Sequence, residues 1–468
     1  MSLQAARFLK PAKWRSLAAA LVLFLPYAAT SQTAANKTAD SRIDSLLADL
    51  ARVRTPTSVS ISPDGATIAY AFNGGSGSEL HLTPIASAGS SDRVLSPDTI
   101  RNATNTIPGI CASSHPNWSP DGKQLAFLSG CASSDGNWQS DSQDNIFVWA
   151  PAMNEMKQVS HLHGAISDLQ WSPDGKSIAF LFVENATRHA GALDAMKPWN
   201  GVYGEDGVEV QRVAVVNVWN TFGGWLSADP KLHVYEFSWS PDSKRITYVA
   251  APPPGENTWW VARLYVQTTG TIGPCGIPPI DQNAVTGCAG IGAPNGVPES
   301  LFDPKTTVGP LHDLQIAVPR FSPDGKQIAF IGGLMSDQGS TGGDIYVIPT
   351  TGLKLSGEPK DVTPNRPSTP AWLAWRDDHS LLISEHTGGS SHITALDLDT
   401  GKDIPSVNLT LPETIIAGTD VMSLSTSSTP NVAVIRQSFD RPPEVWAGPL
   451  ASLKQISHLN DTIKPAWG

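Results

Sequence analysis

The chain has 468 residues, 40 of them Gly and 38 Pro, 16% charged, and a formal net charge of −11. Gly and Pro together make 78/468, about 17%, against a usual share of roughly 12%, which is too little for collagen or a low-complexity chain and too much for a protein of long helices. The acidic balance disfavours nucleic acid and anionic membrane as partners. Length alone suggests about three domains, although closed all-β folds often run this long as one unit.

The N-terminus reads as a signal peptide over residues 1–31. Arg7, Lys10, Lys13 and Arg15 precede an apolar run, Leu17 to Leu25, and then Pro26 and small residues ending at Ser31. The run is too short to span a bilayer, and the order is that of a cleavable export signal. Its removal leaves 28 basic against 43 acidic residues, or −15. A short helix and lead-in follow over residues 41–55. Ser41 can cap it, and Ile43, Leu46, Leu47, Leu50 and Val53 fall at helical spacing.

From residue 56 a repeat organises the chain. Ser-Pro-Asp-Gly stands at Ser62–Gly65, Ser119–Gly122, Ser172–Gly175 and Ser322–Gly325. A near copy is Ser240–Ser243, and degenerate copies are Arg376–His379 and Ser428–Asn431. Ile61, Trp118, Trp171, Trp239, Phe321 or Trp375 comes just before, and an apolar triplet such as Leu125-Ala126-Phe127 comes after. Pro presets the first corner of a tight turn, Asp bonds its own backbone, and Gly takes the left-handed position. Each phrase is therefore one hairpin between two buried strands. A third strand follows each, for example Val213–Val218 or Ile345–Ile348, and a short fourth follows some, for example Met156–Val159.

The repeat Asp residues 64, 121, 174, 242, 324 and 377 are 57, 53, 68, 82 and 53 positions apart. Four strands at this spacing mark a β-propeller. Residues 56–459 divided by seven give about 58 per repeat. The expected fold is all-β, a seven-bladed β-propeller of four-stranded blades over residues 56–468. The long gaps locate insertions at Glu184–Asp206 and Thr269–Pro310.

Four Cys remain: Cys111, Cys131, Cys275 and Cys288. In an exported chain an even count points to disulfides, and four Cys allow three connectivities. The simplest pairs neighbours, Cys111 with Cys131 and Cys275 with Cys288. The spacings lack the short Cys-x-x-Cys pair of a zinc site, so no metal and no cofactor are expected.

The unit Trp-Ser-Pro-Asp-Gly-Lys-x-Ile-Ala-Phe resembles the propeller repeat of the TolB-like and prolyl oligopeptidase families. Arg52-Val53 leading into the first repeat, Gly207 to Val213, Ala251 to Gly255 with Trp259-Trp260, Gly333 to Asp337 and the tail Gln455 to Asp461 resemble exported dipeptidyl- and acylaminoacyl-peptidases. The resemblance covers about residues 41–468. It implies a periplasmic or secreted protein whose propeller restricts access to a serine triad. The sequence departs from those peptidases in one respect: it contains no Gly-x-Ser-x-Gly, the turn that carries their nucleophile, and no catalytic residue is assigned. The implied function is the non-catalytic, substrate-gating propeller portion of such a peptidase, with peptides and a hydrolase domain or partner protein as its partners. The alternative is a stand-alone periplasmic TolB-like propeller for protein or peptide binding.

Candidate substrate-binding residues come from this resemblance by location. Propeller carboxylates of related dipeptidyl peptidases hold the free amino group of the peptide, and Glu205, Asp206 and Glu209 lie in the insertion that could reach such a cavity. Arg212 could meet a substrate carboxylate or Glu209. Trp259 and Trp260 could line the channel mouth. An active site carried by the propeller itself would need clustered carboxylates near the axis, and the sequence singles out none.

Overall fold

A computed structural model of the chain describes residues 43–463 apart from 75–76, 88–91, 96–110, 132–143, 185, 187–208, 220–222, 228, 253–257, 270–297 and 337–338. The segment read as a signal peptide, the lead residue Ser41, Glu205, Asp206, Cys275 and Cys288 lie outside the described residues. Two compact units are resolved, residues 1–52 and 53–468. In the first, residues 43–50 are α-helical. Among the described residues no helix is long and apolar enough to cross a membrane.

The described strands of the second unit form seven sheets, each an antiparallel meander of consecutive strands. Their inner strands are Pro56–Ile61, Cys111–Trp118, Gly164–Trp171, His233–Trp239, Gln315–Phe321, Thr369–Asp377 and, in blade 7, the short pair Thr414–Ile416 and Ser425–Thr426. All but the last run directly into a repeat corner. The third strands expected from the sequence are present, as Arg212–Asn217 in blade 3 and Gly339–Thr351 in blade 5. Four fourth strands without a sequence signal, Arg93–Leu95, Gly223–Trp225, Glu299–Phe302 and Lys402–Leu411, complete blades 1, 3, 4 and 6.

The corners show why this tetrapeptide recurs. At Ser172–Gly175, Ser172 Oγ donates to Asp174 Oδ1 at 2.7 Å, and the Lys176 N–H donates to the same oxygen at 3.1 Å. Gly175 N–H closes the turn on the Ser172 carbonyl at 2.8 Å, and its φ is +70°. The same bonds recur at Ser62, Ser119, Ser240 and Ser322. At the near copy Ser243 occupies the left-handed position with φ 59°, where an L side chain costs roughly 1–2 kcal/mol. The hydroxyl bonds hold the corner carboxylates Asp64 and Asp121 below the ordinary carboxylate range.

The ring is built by packing between blades. Buried clusters span blades 1 and 2 (Leu82 with Phe127), 2 and 3 (Val148 with Phe180), 3 and 4 (Val215 with Tyr248), 4 and 5 (Leu264 with Phe330) and 5 to 7 (Ile345, Leu373, Val434). Burial of each such side chain contributes about 1.5–3 kcal/mol. Repeat Trp residues add a polar link to the preceding blade. The indole N–H groups of Trp171, Trp239 and Trp375 donate to the carbonyls of Asn117, Gln170 and Arg320.

Among the described residues no strand is exchanged at the seam, because the strands of blade 1 come from residues 56–95 and those of blade 7 from 414–455. Closure uses a shared core of Val59, Tyr70 and Phe72 with Ala433, Ile435 and Ile456. The Val59 N–H donates to the Ala417 carbonyl, and the Ser428 N–H to the Pro63 carbonyl. Asn460 is buried and clamps Arg54, accepting its N–H and donating to its carbonyl, both at 2.8 Å.

In blade 5 the second and third strands run on beyond the ring as a hairpin, with Gly333 opposite Gly343. A Cβ on Gly333 would collide with the Gly342 carbonyl, so the paired glycines permit close backbone approach. In blade 2 the register sets Cys111 directly opposite Cys131.

Candidate functional site at the propeller axis

Each inner strand of blades 1 to 6 breaks register with its neighbour. The slips fall between Pro56 and Ser58, Ser114 and Asn117, Ser167 and Gln170, Val234 and Glu236, Ala317 and Arg320, and Pro370 and Trp372. Bulges of this kind re-aim side chains. Here the residue three before the repeat's aromatic or aliphatic position sits at or beside the slip: Ser58, His115, Asp168, Glu236, Val318 and Trp372. Three of them, His115, Asp168 and Val318, have φ between 50° and 54°. A direct link between neighbours recurs here. The His115 N–H donates to Ser58 Oγ at 3.0 Å, and the Val318 N–H donates to Glu236 Oε2.

Ser58, His115, Asp168 and Trp372 line a cavity of about 430 Å³ together with Asn117, Trp118 and Asp420. Its walls come from blades 1, 2, 3, 6 and 7. Asp420 lies on the connection between the two short inner strands of blade 7, and Arg320 of blade 5 donates to it at 2.6 Å. This ion pair skips blade 6. Asp168 accepts from Gln170 Nε2 at 3.0 Å, and the same amide nitrogen donates to the Phe237 carbonyl of blade 4 at 3.0 Å.

Three carboxylates and one guanidinium thus act on one another about the axis. Burial, and then the Asp420 charge, raise both Asp168 and Glu236 well above the ordinary carboxylate range, while Arg320 opposes the rise. Both residues are half-buried, and Asp168 lines the cavity. Burial lowers His115 and keeps it neutral. Carboxylates therefore gather near the axis, where the sequence singled out none. Among the described residues no group of three or more His, Cys, Asp or Glu is arranged to hold a metal ion.

Of the residues singled out from the sequence, the described ones, Glu209, Arg212, Trp259 and Trp260, lie elsewhere. Glu209 is buried and Arg212 begins the third strand of blade 3. Arg212 donates to the Ser227 carbonyl at 2.6 Å. Burial lowers its pKa to about 10 despite the fields of Asp229 and Glu184. Trp259 and Trp260 form a 3-10 turn before the third strand of blade 4. Trp259 is half-buried, Trp260 is 49% exposed, and Lys305 Nζ lies 5.3 Å from the Trp260 ring. These residues border second-to-third strand connections of adjacent blades, on the face opposite the corners. None of them belongs to the axial cluster.

Sequence reasoning missed Asp168, Glu236, Arg320 and Asp420 because each comes from a different blade. One signal was available. Aligned on the repeats, the position three before the aromatic or aliphatic residue changes chemistry from blade to blade, from Ser58 and His115 through Asp168 and Glu236 to Val318 and Trp372.

The fold and this axial site define the class as a seven-bladed β-propeller with a polar, partly charged axis. No family model and no curated protein matches the sequence. Solved structures do match. The acylaminoacyl peptidase of Pyrococcus horikoshii matches with TM-score 0.52 at 12% identity, over 88% of this chain and 53% of that one. Prolyl oligopeptidase B of Galerina marginata matches with TM-score 0.53 at 12% identity, over 91% and 55%. A puromycin-hydrolyzing peptidase of Mycobacterium tuberculosis matches with TM-score 0.52 at 11% identity, over 87% and 53%. The chain thus spans about half the length of these peptidases, and at such identities the likeness is one of fold.

Proposed function

We propose that this chain is the non-catalytic, substrate-gating propeller portion of an exported serine peptidase of the prolyl oligopeptidase type. The observation that carries the reading is a closed seven-bladed ring with a polar axial cavity, in a fold similar to half of each of three peptidases. A cavity of about 430 Å³ is of a size for a small ligand or a short extended peptide rather than a folded chain. The acidic axis favours neutral or cationic peptides over acidic ones. Nucleophilic chemistry is supplied by a hydrolase domain, since the 468 residues contain no Gly-x-Ser-x-Gly.

The opposite face suits such a partner. Trp260, Leu334 and Phe439 stand on or beside its connections, and they are 49%, 58% and 96% exposed. Strand direction also brings the chain into blade 1 and out of blade 7 on this face. A stand-alone propeller that binds another protein would use the same exposed side chains. Glu205, Asp206, Glu209 and Arg212 would then serve substrate or partner from the insertion of blade 3, with Trp259 and Trp260 beside them.

Two experiments test this reading. The chain alone should leave aminoacyl and dipeptidyl chromogenic substrates intact, and addition of a hydrolase domain encoded beside it should produce peptidase activity. Hydrolysis by the chain alone would overturn the assignment. Export is tested by peptide mapping without reduction. Bridges Cys111–Cys131 and Cys275–Cys288 are expected, and the first agrees with strand register, which sets paired Cα atoms at roughly 4.5–5.5 Å, within disulfide reach. Free thiols in protein recovered from the envelope would contradict it.

A further inference from the structure

The axial cluster does something that a channel lining need not do: it ties blades that are not neighbours. Arg320 of blade 5 holds Asp420 of blade 7 across blade 6. Glu236 of blade 4 receives the Val318 N–H, two residues before Arg320 in the same bulge. Asp168 of blade 3 is joined through Gln170 to the blade 4 strand that carries Glu236. Four blades therefore meet through four ionisable groups, and among the described residues the seam between blades 7 and 1 has no exchanged strand to hold it.

The charges do not balance when every group is ionised. One guanidinium, Arg320, then faces the three carboxylates Asp168, Glu236 and Asp420. Asp168 and Glu236 accept hydrogen bonds from Gln170 and the Val318 N–H, and His115, which burial keeps neutral, lines the cavity with Asp168 and Asp420. We propose that Arg320, Asp420, Asp168 and Glu236 form a pH-sensitive clasp across the axis. It is closed while the two carboxyls outside the Arg320–Asp420 pair carry protons, and it loosens when both ionise.

The sign follows from linkage. A carboxyl whose folded pKa is raised holds its proton longer in the folded state than in the unfolded chain. Stability is then greatest below the ordinary carboxylate range and falls as pH rises through the window up to the raised values. The clasp is a property of the ring itself and stands whether or not the gating role does.

The test is equilibrium unfolding of the full chain between pH 4 and pH 8, at fixed ionic strength. For the native sequence the unfolding constant should rise with pH by up to about tenfold per pH unit for each carboxyl in its window. Asp168→Asn combined with Glu236→Gln should flatten that rise, and Asp420→Asn should move it to lower pH. A native protein whose unfolding constant does not rise, or a double variant that keeps the native slope, would overturn the proposal. Should the double variant not fold, hydrogen exchange on the native chain decides. Protection of the inner strands of blades 3, 4 and 5 should fall with pH after correction for intrinsic rates, while outer strands hold theirs. Uniform loss, or no loss, would overturn it.

Discussion

The corners and the axis of this propeller are both made of short polar residues beside buried strands, yet they are held in opposite ways. At a corner the bonds that shape the turn join residues within five positions of each other, as Ser172, Asp174, Lys176 and Ser177 show. The bonds repeat from blade to blade. At the axis the partners are 82 and 100 positions apart, as for Val318 with Glu236 and Arg320 with Asp420, and each blade supplies a different side chain. The corner is a local solution used many times to make a blade. The axis is an assembled site that exists only once the ring has closed. Damage at a corner should therefore be modest and transferable, and damage at the axis large and particular.

The largest effect that would sharpen this contrast is expected at Arg320. Arg320→Met leaves Asp420 without its cation beside two further carboxyls, and should cost on the order of 3 kcal/mol, tempered by water in the channel. Denaturant midpoints at neutral pH give the value, and a loss no greater than that of a corner variant would break the comparison. The seam comes next. Asn460→Ala removes the clamp on Arg54 and should cost about 2 kcal/mol, because buried backbone groups lose their partners. A loss under a few tenths would mean that the shared core alone closes the ring.

Corner variants should do less. Gly175→Ala meets nothing closer than ordinary contact, Pro120 Cδ at 3.9 Å, so only the left-handed backbone counts, at about 1–2 kcal/mol. Ser119→Ala should cost about 1 kcal/mol for the lost hydroxyl bonds. The smallest change is expected at Ser243→Gly. Relief of its left-handed strain is offset by loss of the bond from the Asp174 N–H to Ser243 Oγ, leaving less than about 1 kcal/mol of either sign. A Gly175→Ala variant as stable as the native chain would remove the argument for Gly at the corner.

The same division explains what the sequence disclosed. Residues Ser62 to Gly65 and their copies specify their own turns, and the alternation around them specifies buried strands, so seven blades were countable before any coordinates. Even Ser428–Asn431, the weakest copy, joins the inner and second strands of blade 7 and bonds to Pro63. Fourth strands such as Gly223–Trp225 were missed because their pairing is set by the preceding strand and not by their own composition. Asp168 and Glu236 looked like ordinary strand residues, since nothing local shows that a bulge turns them inward. Glu209 and Arg212 were chosen by their place beside the blade 3 insertion and the Trp259-Trp260 pair by resemblance, and they border the opposite face rather than the axis.

The central claim is that the corners make the fold while the axis meets the ligand. Hydrogen exchange of the full chain with and without a short basic peptide, such as a tetrapeptide with Lys at its N-terminus, tests it most directly. The account predicts added protection around Ser58, His115, Asp168 and Asp420 and unchanged exchange at the corners. Protection confined to the corners and outer strands, or none at saturating peptide, would contradict it.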